Sequence, residues 1–246
     1  IDVDTDRVIA GSLYLENSEI DNIDLRLEYY FGFNQFFTAG IFSKEILNPI
    51  EETVNESGDL IITSYQNVPL AEINGFEIEY EQVFEAIMDS PNDLLVKFNY
   101  TETESEVIVN PGDTYINSIG TVVDAQSLLA NGRDTRLQGQ SDTIANFQIG
   151  LDNLQNQTQA TLIVNYVSDR VRARGIDVLP DIIEEPPLLV DFAFSKIYSY
   201  PEFELKLSLE LRNLLDEEYY ASMRNVAIYD QYDLGTSASL GFKISF

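Results

Sequence analysis

The chain is 246 residues long, and its 42 acidic against 14 basic side chains leave a formal net charge of −28. A phosphate backbone is repelled by that balance, which argues against nucleic acid as a partner. Cysteine and histidine are absent, which removes disulfides, the usual thiolate and histidine metal sites, the serine–histidine triad and the commonest general base.

No apolar run approaches the ~18 residues of a transmembrane helix, and the first residues show no basic-then-apolar leader. The acidity reads either as solvated surface, as carboxylates along a lumen, or as loop acids bridged by ions.

Residues 1–22 carry no alternating run; Asp2, Asp4, Asp6, Asn17, Glu19 and Asp21 predict a loop. From there Ile23, Leu25, Leu27, Tyr29 and Phe31 alternate with Asp24, Arg26, Glu28 and Tyr30. That period of two predicts a strand with one apolar face. Gly32-Phe33-Asn34 predicts a tight turn, and a second strand runs from Gln35 to Ile46, ending at Asn48-Pro49. Residues 47–71 predict a long polar connection. The third strand, Ile73 to Phe84, sets Phe76, Ile78 and Tyr80 against Glu77, Glu79 and Glu81. After a turn at Ser90-Pro91-Asn92-Asp93, the fourth sets Leu94, Val96, Phe98 and Tyr100 against Leu95, Lys97, Asn99 and Thr101.

A connection to about Gln140 follows, with a short helix predicted over Val122 to Leu129. Strand five covers Asp142 to Leu151 and strand six Thr158 to about Val171. Residues 172–186 predict a loop, strand seven covers Leu188 to Tyr198, and strand eight alternates Phe203 to Leu211 with Glu204, Lys206, Ser208, Glu210 and Arg212. The last strand, Thr236 to Phe246, alternates Ala238, Leu240, Phe242, Ile244 and Phe246 with Ser239, Gly241, Lys243 and Ser245.

About nine strands of roughly ten residues are the length a tilted strand needs to cross a bilayer. Connections alternate short and long, and aromatics such as Tyr29, Phe31, Tyr80, Tyr100, Tyr166 and Tyr198 fall where interfacial girdles belong. The expected fold is all-β, an antiparallel up-and-down transmembrane β-barrel. Residues 1–22 would end an extracellular loop and residues 23–246 would form the carboxyl-terminal part of the barrel. Bacterial single-chain barrels have an even strand number, so nine strands predict part of a larger barrel. A tenth strand within residues 1–15 would instead give a small closed barrel or passive porin, and a soluble β-rich binding protein is the third possibility.

Six segments in order carry a family resemblance: Ile20 to Phe31 (IDNIDLRLEYYF), Asn48 to Glu51 (NPIE), Asn74 to Tyr80 (NGFEIEY), Leu137 to Ser141 (LQGQS), Pro180 to Pro186 (PDIIEEP) and Leu211 to Asp216 (LRNLLD). Together they resemble TonB-dependent outer-membrane receptors. The resemblance implies a plugged barrel of about 22 strands, in the outer membrane of a Gram-negative bacterium, importing a scarce nutrient such as an iron chelate or glycan. The plug domain and the segment that meets the TonB-type energy transducer are absent from this sequence, so transport calls for the rest of the barrel, on the same or a second chain. The resemblance also implies that the aromatic terminal residue, Phe246, is read by the barrel-assembly machinery.

The expected site residues follow from this frame. Glu77, Glu79, Glu81, Glu204 and Glu210 are expected to face the lumen, because charge on the face toward outer-membrane lipid is costly. Tyr115, Tyr219, Tyr220, Tyr229 and Tyr232 are the candidate ligand contacts, suited to stacking on sugar rings or flat chelates. Glu51/Glu52 and Glu184/Glu185 read as solvated loop carboxylates rather than an acid–base pair. Asp216-Glu217-Glu218 lacks the glycine-punctuated loop of a calcium site. No catalytic residue, metal or cofactor is predicted.

Overall fold

Period-two patterning sets the strands in the computed structural model, which describes residues 8–57, 60–85, 91–176, 178–224 and 226–246. The first elements are β1 (Val8–Ile9), β2 (Glu19–Gly32), β3 (Gln35–Leu47), β4 (Ile50–Ser57), β5 (Leu60–Asn67), β6 (Leu70–Phe84) and β7 (Asp93–Ile108). Then come β8 (Thr114–Ile116), β9 (Val122–Asp124), a 3₁₀ helix (Ala125–Gly132), β10 (Thr143–Asn153), β11 (Thr158–Val167), β12 (Arg170–Gly175) and β13 (Ile182–Glu185). The chain closes with β14 (Leu189–Ser199), β15 (Glu204–Arg212), β16 (Glu218–Met223), β17 (Ile228–Asp233) and β18 (Ser237–Ser245).

The fold is all-β and its main sheet is a nine-stranded, barrel-like antiparallel meander, in the order β18-β15-β14-β11-β10-β7-β6-β3-β2. These are the nine strands that the alternation predicts. Short connections alternate with long ones, and an up-and-down meander places all four long connections at one end.

Register keeps two faces separate across the sheet. Tyr80 is paired with Phe37 and Phe98, and Phe98 with Phe147, so apolar side chains form one face. Glu77 is paired with Gly40 and Thr101, and Glu79 with Thr38 and Asn99, on the other. Because Gly40 has no side chain, Arg26 of β2 reaches past it. Its guanidinium lies 3.5 Å from Glu77 and 3.7 Å from Glu79.

Three expectations are corrected. First, β2, β3, β6 and β7 have 14, 13, 15 and 16 residues rather than about ten, β2 starting at Glu19 instead of Ile23. Beyond the row Leu25, Ile41 and Phe76 their apolar face becomes acidic, with Asp21, Glu45, Glu72 and Glu106 paired side by side. Second, residues 47–71 and 172–186 are not plain loops. They contribute β4, β5, part of β12 and β13 to a second sheet, ordered β1-β5-β4-β12-β13-β16-β17. Third, the helix predicted over Val122 to Leu129 begins only at Ala125, after strand β9, with Asp124 capping the amide of Gln126. Of the residues 1–15 weighed for a tenth strand, 1–7 lie outside the described residues, as does Ser90 of the predicted turn; Val8–Ile9 pairs in parallel with β5 of the second sheet, not with the meander.

The tight cores lie in this layer of long connections and where it meets the ends of β6 and β7. Val54, Ala173, Ile182 and Ala221 form one; Val68, Ala71, Val107, Tyr115, Ala125 and Leu128 form another. In the meander, by contrast, large apolar side chains such as Ile23, Leu25, Leu240 and Phe242 stay exposed.

Candidate ligand site in the long connections

The layer is held together by a fully buried ion pair. Glu51 of β4 and Arg174 of β12 are both 0% exposed, and Arg174 meets both carboxylate oxygens, Nη2 donating to Oε1 at 2.9 Å. Two further hydrogens go to the carbonyl oxygens of Asp134 (2.7 Å) and Arg136 (3.0 Å), and the amide of Gln138 donates to Glu51 at 3.1 Å. Burial alone would lower the Arg174 pKa, but the adjacent Glu51 carboxylate more than reverses it and keeps the guanidinium charged. Asp181, also fully buried, accepts from the amides of Asp134 (2.8 Å) and Gly175 (3.1 Å). That approach requires glycine at 175, since a Cβ there would strike the carbonyl oxygens of Leu179 and Pro180. Three long connections are thereby tied at one point.

Next to this lock lies a polar cavity of roughly 550 Å³. Arg136 is its central cation, 2.9 Å from Asp134, 2.9 Å from Asp169 and 3.3 Å from Asp142; Ser168, Glu185, Ser222 and Arg224 complete its polar wall. Burial pushes the Asp134 carboxyl up, but hydrogen bonds from Arg136 outweigh it and hold the group below its ordinary value. Glu184 behaves likewise, through Arg170 at 2.7 Å. Asp142 moves the other way, raised chiefly by burial.

A carboxyl depressed in the folded state stabilises above its unfolded pKa, and that contribution is lost as pH falls through the folded value. Acidification below the ordinary values, 3.8 for Asp134 and 4.5 for Glu184, is therefore expected to loosen this layer, Asp142 offsetting part of the loss. Hydrogen exchange followed from neutral to acidic pH checks it; β12 and β13 should lose protection before the meander does.

The candidate tyrosines divide. Tyr219 and Tyr232 are paired across β16 and β17 and stack at 4.6 Å. Arg172 donates to Tyr219 Oη (2.8 Å) and Asp230 (3.3 Å) and sits 5.5 Å from the Tyr229 ring. Burial, with Glu184 adding to it against Arg172, lifts the Tyr219 phenol to about 12. Tyr219 and Tyr229 are thus packed and positioned, while Tyr232 is half exposed and offers a free stacking surface. Tyr220 is on the opposite face of β16, the face from which Ser222 lines the polar cavity. Tyr115 is 7% exposed and belongs to a core cluster, so packing accounts for its ring.

Of the acidic positions, Glu77, Glu79 and Glu81 share one face, with Glu81 3.0 Å from Lys97. Glu210 pairs with Arg212 at 3.1 Å, and Glu204 lies at the short-turn end opposite Ser245. The Phe246 side chain is fully exposed, its ring 6.5 Å from Phe203. Two carboxylate pairs depart from the solvated-loop expectation: Glu51 is buried against Arg174, and Glu184 is in a strand against Arg170. Asp216 is used in a turn, accepting from Thr236 Oγ1 at 3.2 Å.

Sequence reasoning missed Arg172, Arg174, Arg136 and Glu51. A signal was present: Arg170, Arg172 and Arg174 recur at every second position in a chain with 14 basic residues, which is strand spacing that runs on from the end of the predicted sixth strand into the supposed loop.

The sequence matches no family model and no curated protein. The structure is similar to that of the outer membrane transporter YddB from Escherichia coli, with a TM-score of 0.60 and 12% sequence identity, covering 97% of this chain and 34% of that one. The likeness is one of fold, and the chain spans about a third of the transporter's length.

Proposed function

We propose that the chain is a barrel segment of an outer-membrane receptor that takes up a scarce nutrient, such as an iron chelate or a glycan, with energy from a TonB-type transducer. The observation that carries this reading is the nine-stranded meander whose four long connections fold at one end into a packed layer with a polar cavity. Lipid would cover the apolar face. The acidic row Asp21, Glu45, Glu72 and Glu106 would stand clear of it, because charges in hydrocarbon are costly. Glu77, Glu79 and Glu81 would face the lumen. Tyr232, Tyr220 and the cavity around Arg136 would meet the ligand, by binding rather than catalysis. A plug contributed by the rest of the receptor would reach the transducer, and the barrel-assembly machinery would read Phe246.

The similarity to a transporter fold supports this reading, as do the six sequence segments. Its test is uptake of labelled ferric chelates and oligosaccharides by cells with and without the energy transducer. Uptake should vanish in cells lacking the transducer while surface binding persists. Uptake that continues without it would establish a passive pore instead.

A further inference from the structure

The apolar face of the meander is not uniformly uncharged. Its carboxylates lie toward the long-connection end, in the row of Asp21, Glu45, Glu72 and Glu106 and just inside it. The cations Arg26, Lys44, Lys97, Lys206, Arg212 and Lys243 fall in register on the other face, with the glutamates. Among the described residues the apolar face carries a single cation, Lys196 of β14, at the opposite end from the acids. Lys196 is three residues from the end of β14 and is paired with Thr158, the first residue of β11 after a short turn. On its other side it is paired with Leu207, which is itself opposite Phe242.

The side chain has a direction. Its Nζ lies 5.1 Å from the centre of the Tyr198 ring, the next side chain on that face toward the short turn. The ammonium is thus carried away from the acids and toward an aromatic group. There Tyr200 stacks on Phe203 at 4.7 Å, and Phe203 lies 6.5 Å from Phe246. A lysine on a lipid-covered surface bends its head to the headgroup level in this way, and aromatic rings mark that level in barrels. Among the described residues no carboxylate pairs with Lys196, and one ring face satisfies only part of an ammonium. A negative charge arriving from the lipid side would complete it.

We infer that Lys196 and Tyr198 hold the phosphate of an anionic phospholipid in the leaflet at the short-turn end. The ammonium donates to a phosphate oxygen beside the Tyr198 ring, and the acyl chains run along Phe194, Leu207 and Phe242. A free anion would have to leave water to reach a lysine flanked by Phe194 and Leu207, whereas a lipid arrives with its chains already on that face. A zwitterionic headgroup brings its own cation to the phosphate and leaves less charge for Lys196. The inference rests on the membrane-spanning reading proposed above and adds to it the headgroup that one side chain selects.

The test is photolabelling of the native protein in phosphatidylcholine vesicles holding a trace of phosphatidylglycerol or phosphatidylcholine, each with the same diazirine beside the glycerol. Labelled residues are mapped by mass spectrometry, with the β2–β3 turn at Phe33, whose side chain is exposed, as internal reference. Relative to that turn, residues 194–203 should take about fivefold more label from phosphatidylglycerol than from phosphatidylcholine. Lys196→Met, an apolar side chain on an apolar face, should keep the gel shift on heating and abolish the difference between the lipids. Lys196→Arg should keep the difference, and Lys206→Met, on the other face, should leave it unchanged. Sodium phosphate should lower it no more than sodium chloride of equal ionic strength. Equal labelling by the two lipids, or a difference untouched by Lys196→Met, overturns the inference while leaving the protein in the membrane. So does specific displacement by inorganic phosphate, which would make this a site for free anions. No labelling of the apolar face by either lipid would overturn the membrane reading itself, and this inference with it.

Discussion

Replacing Arg174 by methionine is expected to destabilise the layer of long connections by about 3–5 kcal/mol, the cost of leaving one member of a buried ion pair without its partner. Glu51 would stay in a site that is 0% exposed, facing an apolar side chain instead of two guanidinium hydrogens. The carbonyl oxygens of Asp134 and Arg136 would lose donors at 2.7 and 3.0 Å. Glu51→Leu should cost a similar amount for the mirrored reason. The double replacement should cost less than the two singles summed, because it removes both charges at once. The effect should also be local. The layer meets the meander at the ends of β6 and β7, where Val107 N donates to Thr135 O and Leu137 N to Ser105 Oγ, whereas β10 and β11 pair with each other over ten registered positions. Hydrogen exchange on the native protein reads this directly: β4, β12 and β13 should exchange quickly in the variant while β10 and β11 remain protected. Unchanged exchange in β4 and β12 would mean that the pair is not holding the layer.

That lock also explains what was legible in the sequence and what was not. The nine strands of the meander could be read because each satisfies its environment locally. Leu205, Leu207, Leu209 and Leu211 face one medium and the residues between them another, so period two survives in the one-dimensional record. The connections obey a different logic. Glu51-Glu52-Thr53-Val54-Asn55 reads as solvated, yet Glu51 is neutralised by Arg174, 123 positions away, and hydrogen-bonded by Gln138, 87 away. No local pattern reports a partner at that distance. Tyr115 misleads in the same way: an aromatic in a polar connection suggests a ligand contact, but residues from Val68 to Leu128 close over it. The aromatic cluster of Tyr219, Tyr229 and Tyr232 was visible as composition. Only the structure shows Arg172 among them, leaving Tyr232 as the exposed ring.

The sharpest test of the two-faced sheet uses neighbours of almost identical character. Leu162 and Ile163 are consecutive residues of β11, both aliphatic and both partly buried. Leu162 is paired with Ile149 and Phe192; Ile163 is paired with Gln148 and Asp191. Composition and hydropathy give no reason to treat them differently, but register places them on opposite faces. Leu162→Arg puts a guanidinium among apolar side chains near the middle of the strand. If lipid covers that face, the cost is about 2–4 kcal/mol, enough to prevent assembly of a marginal barrel. Ile163→Arg puts the same group beside Asp191, on the face that also carries Glu79 and Glu81, where water and carboxylates receive it. Outer-membrane abundance and the gel shift between heated and unheated protein should collapse for Leu162→Arg and stay near wild type for Ile163→Arg. Equal losses would show that both faces are packed in protein and would sink the membrane reading. The reverse order would mean that the face bearing the glutamates is turned toward lipid, which neither register nor charge allows.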